Sequence, residues 1–142
     1  MGGVRWLVPA AAPAHVDAEV EPALDQARRT WDARRPSDYS FDLHIDVSSL
    51  LGGTYRVAVA HGQPAGIERT DGLPFDESMA TELPGTIEEV FDVITDNLDR
   101  GPDLVIAGIN PELGYPTDAT FDHIRDAIDD EFAIVVTNFE TA

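Results

Sequence analysis

The densest set of side chains able to do chemistry lies near the C-terminus: Asp118, Asp122, Asp126, Asp129, Asp130 and Glu131. If 122–130 is helical, Asp122, Asp126 and Asp129 or Asp130 share one face, opposite Ile124 and Ile128. Oxygen-rich sets of this kind suit calcium. The order departs from an EF-hand loop, however, and no Gly sits where the sharp turn would be. The cluster therefore reads as a solvated acidic face with turn and capping Asp, and it is the predicted binding surface rather than a metal site. His15, His44, His61 and His123 are far apart and lack metal-ligand spacing. Asp122 could orient His123 as a base, but no Ser or Cys nucleophile accompanies the pair. Gly108 and Gly114 do not form a phosphate-binding loop after a strand. No catalytic set and no cofactor motif is predicted.

Charge narrows the partners. The chain of 142 residues carries a formal charge of −18. Its nine basic residues are all Arg, at 5, 28, 29, 34, 35, 56, 69, 100 and 125. Such a surface repels nucleic-acid backbones and anionic membranes, and suits cations or a basic protein partner. Arg28, Arg29, Arg34 and Arg35 make the one basic cluster in the sequence, read chiefly as internal neutralisation of nearby carboxylates. Cysteine is absent, which leaves no disulfide, no Cys-based zinc site and no thiol chemistry. No stretch is long enough to span a bilayer as a helix.

The elements that must position these groups are legible. The segment Leu83 to Pro102 is the clearest helix. Thr86 with Glu89 three residues on predicts a capping box, in which each side chain reaches the other residue's backbone N–H. Ile87, Val90, Phe91, Ile94 and Leu98 draw one apolar stripe. Arg100-Gly101-Pro102 supplies the stop. An earlier helix is predicted over 21–34, with Pro22 at its first position and Trp31 as core anchor. Period-2 alternation predicts strands over Tyr39–Val47, Tyr55–Ala60 and Tyr115–Asp122. Pro64–Arg69, Leu104–Ile109 and Phe132–Phe139 complete the set. One or two helical turns are expected over 123–130. Residues 70–85 read as a polar loop, long for a structureless connection.

The predicted class is α+β: a six-stranded antiparallel sheet with two main helices packed on one face. Helix and three strands occur twice, at an offset near 60 residues that aligns Trp31 with Phe91 and Tyr55 with Tyr115, a possible α-β-β-β pseudo-repeat. Residues 1–20, apolar and small with Pro9 and Pro13, are expected to be a disordered or processed tail that imitates a signal peptide. Residues 21–142 would form a single domain.

This pattern resembles a bacterial family of small α+β domains of unknown function, often extracytoplasmic or lipoproteins. The residues carrying the resemblance are Trp31, Asp38-Tyr39-Ser40-Phe41, Tyr55-Arg56-Val57-Ala58-Val59 with Gly62, and Thr86-Ile87-Glu88-Glu89-Val90-Phe91-Asp92. They continue with Leu113-Gly114-Tyr115-Pro116-Thr117, Asp122-His123-Ile124 and Ala127-Ile128-Asp129-Asp130-Glu131. Many relatives carry a cysteine pair around the first hairpin and begin with a lipoprotein signal ending in Cys; this chain has neither. The resemblance supports the fold and implies an extracytoplasmic setting, but supplies no activity.

The function read from the sequence is a non-enzymatic acidic interaction or accessory domain. The alternatives are an acidic inhibitor or immunity-type protein that occupies the basic site of an enzyme, and a small ligand-binding or hydrolytic domain using a cleft near Tyr115, His123 and the 70–85 loop.

Overall fold

The computed structural model describes residues 4–7, 20–47, 51–100, 104–122 and 131–141. Its elements are β1 (Val4–Leu7), α1 (Val20–Arg34), β2 (Tyr39–Asp46), β3 (Gly53–Ala60), β4 (Gln63–Arg69), α2 (Glu77–Ala80), α3 (Ile87–Asp99), β5 (Leu104–Ile109), β6 (Pro116–Asp122) and β7 (Glu131–Thr141). The strands form one antiparallel sheet in the order β1-β5-β6-β7-β2-β3-β4.

All six expected strands are present. Each long helix is followed by a three-stranded meander, and the two meanders join where β7 pairs with β2. The repeat holds in topology more than in residues. Tyr55 is enclosed within β3, whereas Tyr115 precedes β6 and is half-buried. One strand was not foreseen. Val4–Leu7 extends the sheet at the β5 edge, Val4 opposite Ile109 and Leu7 opposite Ile106, so these residues of the expected tail lie in the fold. The turns expected over 123–130 lie outside the described residues, as do Gly101 and Pro102.

One face of the sheet is apolar. Tyr39, Phe41, Leu43 and Ile45 of β2, Tyr55, Val57 and Val59 of β3, Ala119 and Phe121 of β6, and Ile134 and Val136 of β7 are buried against the helices. Trp31 of α1 is 0% exposed and meets Tyr39, Tyr115 and Phe139 edge-on, at ring-centroid distances of 5.2, 6.3 and 5.9 Å. Phe91 of α3 is 1% exposed, and the stripe of Ile87, Val90, Ile94 and Leu98 is buried with it. Strict alternation along β7 would turn Phe139 outward. A bulge opposite Ser40–Asp42, with Asn138 left-handed at φ 49°, shifts the register and returns Phe139 to the core, stacked on Tyr115 at 4.4 Å.

The two fold halves are also locked by a glycine. Gly114, at φ +88°, closes the turn before β6 against α1. A Cβ there would stand 2.5 Å from the Ala27 carbonyl oxygen and 2.8 Å from the Trp31 nitrogen. The Gly-Tyr-Pro segment thus has a steric reason: only a residue without a Cβ lets this turn reach the helix backbone.

Two substitutions test this packing. Phe91→Ala should cost about 3–5 kcal/mol, read as a lower denaturation midpoint. An unchanged midpoint would place Phe91 outside the core. Gly114→Ala combines a left-handed backbone with a backbone clash and should cost more than ~2 kcal/mol. A melt equal to wild type would show that the turn does not touch α1.

Candidate functional site

The acidic residues singled out by sequence are not drawn into one tight site among the described residues. Asp118 and Asp122 both lie on β6, four positions apart, which is roughly 13 Å along a strand. Asp122 stands opposite Glu131 in the β6–β7 register, and Asp118 stands opposite Val135. Asp118 accepts a hydrogen bond from the Thr117 hydroxyl at 3.0 Å, over the bare backbone of Gly108. Asp126, Asp129 and Asp130 lie outside the described residues, as does His123. Among the described residues no three His, Asp or Glu side chains converge as metal ligands. The cleft expected around Tyr115, His123 and the 70–85 loop is not assembled: β7, β2 and β3 separate the strand that follows Tyr115 from the strand that the loop flanks. The Tyr115 hydroxyl accepts from Asn110 at 3.3 Å, and burial pushes its pKa up.

The structure concentrates polar chemistry at the N-terminus of α3 instead. Thr86 is the N-cap and its hydroxyl accepts from the Glu89 N–H at 3.1 Å. The reciprocal half of the capping box is displaced by one residue: Glu89 accepts from the Gly85 N–H at 2.7 Å rather than from Thr86. The Ile87 N–H is satisfied by the buried Tyr39 hydroxyl at 3.0 Å. Burial pushes the Tyr39 pKa up to about 12, so this group stays protonated. Glu88 accepts from the Trp31 indole at 3.0 Å and pairs with Arg35. Burial alone would raise the Glu88 carboxyl, but hydrogen bonds from its own N–H, the indole and Arg35 outweigh it and hold the pKa below the usual carboxylate range. Of these residues Arg35, Thr86, Glu88 and Glu89 border a cleft of about 490 Å³ whose other wall includes Pro36, Ser37, His61 and Gln63. Ser37 and His61 share that wall, yet among the described residues no hydrogen bond joins the Ser37 hydroxyl to the imidazole.

A second groove of about 490 Å³ runs between β4 and residues 75–85. The 70–85 segment is not structureless. Asp76 caps α2, accepting from the Met79 N–H at 3.1 Å and from the Ser78 hydroxyl at 2.6 Å. Phe75 packs on Tyr55, and Leu83 is buried. Arg69 anchors the start of the segment. Its side chain is 5% exposed, lies 5.3 Å over the Tyr55 ring, and donates to Asp71 at 2.7 Å and to the Gly52 carbonyl at 2.6 Å. Those bonds from Arg69, with further ones from the Leu73 and Thr54 N–H groups, hold the Asp71 pKa down to about 2.

The arginines are bound up with carboxylates elsewhere too. Arg28 stacks 4.8 Å over Phe91 and pairs with Asp92 at 3.4 Å. On the sheet face away from the helices, Arg56 bridges three strands, reaching Asp42 at 3.1 Å, the Ser40 hydroxyl at 2.7 Å and Glu140 at 2.6 Å. Asn138 donates to the other Asp42 oxygen at 2.6 Å, and this bond, with those from Arg56, holds the Asp42 pKa down against burial. No motif announces this network, because its members come from three separate strands.

Fold and surface define an acidic α+β domain built on one open antiparallel sheet. The family model described as "Family of unknown function (DUF6174)" matches residues 23–141, and the chain belongs to that family. No curated protein and no solved structure matches it. No helix among the described residues is long and apolar enough to cross a membrane.

The depressed pKa of Asp71 makes a signed prediction. A carboxylate whose folded pKa lies below its unfolded value of about 3.9 stabilises the fold above that value and loses the effect as pH falls through the folded pKa. Wild type should therefore melt above Asp71→Asn at pH near 6, and the gap should close as the pH is lowered to about 2. A gap that stays constant over that window would mean the Arg69–Asp71 pair does not form.

Proposed function

We propose that this domain is a non-enzymatic interaction module whose acidic surface meets a basic protein partner. The observation that carries the reading is the division of charge. Arg28, Arg35, Arg56 and Arg69 are each paired with a carboxylate. The Arg cluster is therefore half neutralised, through Arg28 and Arg35, while Arg29 and Arg34 stay exposed beside Gln26 and the Glu112 carbonyl. Exposed Asp and Glu remain in excess, among them Asp25, Asp32, Asp46, Glu68, Glu77, Glu82, Asp96 and Asp99. A field of this kind steers cationic partners and repels nucleic acids. The unit concerned is residues 21–142, which contain the matched segment 23–141.

The experiment is capture from the native lysate at low salt, followed by titration of the purified partner. A basic partner should bind more than about tenfold weaker when NaCl rises from ~50 to ~500 mM, since the Debye length falls from roughly 14 to 4 Å. Salt-independent binding, or an acidic partner, would overturn the reading.

A further inference from the structure

The edge strand β4 carries the inference furthest. It ends the sheet, and no strand pairs with its outer side among the described residues. The Thr70 N–H donates to the Thr54 carbonyl at 2.9 Å. Antiparallel pairs alternate between hydrogen-bonded and non-hydrogen-bonded residues, so Glu68 faces Arg56 in the ladder while the N–H and C=O of Ile67 turn outward. Along this edge runs the second groove. The segment forming its far wall leaves β4 at Arg69 and returns at Gly85, which packs against Pro64 at the other end of the strand. Among the described residues it does not close the edge: its backbone hydrogen bonds are local, with the Met79, Glu82 and Leu83 N–H groups donating to the Asp76, Met79 and Ala80 carbonyls. A strand edge, an apolar wall and a length of open groove therefore lie side by side.

The occupant follows from chemistry. Ile67, Phe75 and Leu83 offer apolar contact on the helix side, while exposed Glu77 and Glu89 line the rim. Glu68, next to Ile67 and on the opposite face of the sheet, is exposed as well. A strand added here would place alternate side chains against the apolar wall and the others beside Glu68. A second copy of this chain, at −18, is repelled from that edge. We propose that β4 and its groove take an extended basic peptide segment, apolar on one face and bearing Lys or Arg on the other, as an eighth strand of the sheet. This rests on the acidic-module reading and assigns it a site.

The test uses the full chain and a fluorescent peptide of alternating Val and Lys, read by anisotropy. Three controls accompany it: a Val/Glu counterpart, the Val/Lys peptide N-methylated on alternate residues, and the variant Glu68→Gln. We expect saturable binding of the Val/Lys peptide, none of Val/Glu, loss of at least about tenfold on N-methylation, and roughly threefold weakening with Glu68→Gln. N-methylation removes strand hydrogen bonds without touching the protein, so a misfolded variant cannot imitate the result. Equal binding of the methylated peptide would overturn strand addition. If it remained salt-sensitive, the acidic-module reading would survive. Failure of the Val/Lys peptide to bind, while the captured basic partner still does, would likewise overturn the site alone. Concentration-dependent self-association blocked by that peptide would assign the edge to a second copy and overturn the proposed occupant.

Discussion

A buried helix N-terminus is the constraint on which this structure depends. Thr86 and Ile87 are enclosed against the sheet, so the amide groups at the start of α3 cannot turn to water. Each orphan donor must find an acceptor inside the protein, or cost its full desolvation. The acceptors come from different parts of the chain: the Tyr39 hydroxyl from β2, the Thr86 hydroxyl from the cap itself, and the Glu89 carboxylate from the first turn. Glu88 then ties the same turn to α1 through Trp31 and Arg35. One helix end thereby fixes the spacing of both helices over the sheet. The aromatic cluster of Trp31, Tyr39, Tyr115 and Phe139 fills the space that this spacing leaves.

The same node shows how an acidic chain folds with so few cations. An arginine half-exposed at a surface contributes little by pairing with one carboxylate. It contributes more where its planar donors also serve structure. Arg56 joins β3 to β2 and β7 through a hydroxyl, two carboxylates and the Asn138 carbonyl. Arg69 covers Tyr55 while donating to Gly52 and Asp71. The guanidinium does this by geometry that a lysine ammonium lacks, which accords with the all-Arg composition. With these cations engaged, exposed carboxylates outnumber the arginines that still reach solvent, Arg29, Arg34 and Arg100 among them.

Local signals were readable in the sequence, and long-range ones were not. The stripe through Phe91, the stop near Arg100 and the alternation from Tyr39 to Ile45 depend on neighbours within one element, and each lies where it was expected. The Thr86 cap was legible for the same reason, although Glu89 accepts from the Gly85 N–H rather than from that of Thr86. The short helix α2 escaped because its four residues show no period, only the Asp76 cap. The bulge at Asn138 escaped because it answers to β2, far away in sequence, and it reverses which of Asn138 and Phe139 faces the core. Density of Asp along the chain drew attention to 118–131, where Asp126, Asp129 and Asp130 lie outside the described residues. The two clefts escaped because they are built from Arg35, His61, Pro64 and Glu89, residues that no spacing rule connects.

Edge strands are hazards that proteins guard, and β4 is guarded in a selective way. Pro64 and the bulge opposite Ala58–Val59 disrupt one end of the strand, and Glu68 marks the other with charge. Between them Ile67 keeps a regular register with its backbone turned outward. If the guard were only against aggregation, the simplest device would be to lay the 70–85 segment onto the strand and close its hydrogen bonds. That segment instead bonds within itself through the Asp76 cap and stands off across a groove lined by Phe75 and Leu83. Negative charge on the rim fits the proposed cationic strand better than another copy of the same acidic chain. Charge and an open edge, each unremarkable alone, become a selective combination when they border the same strand.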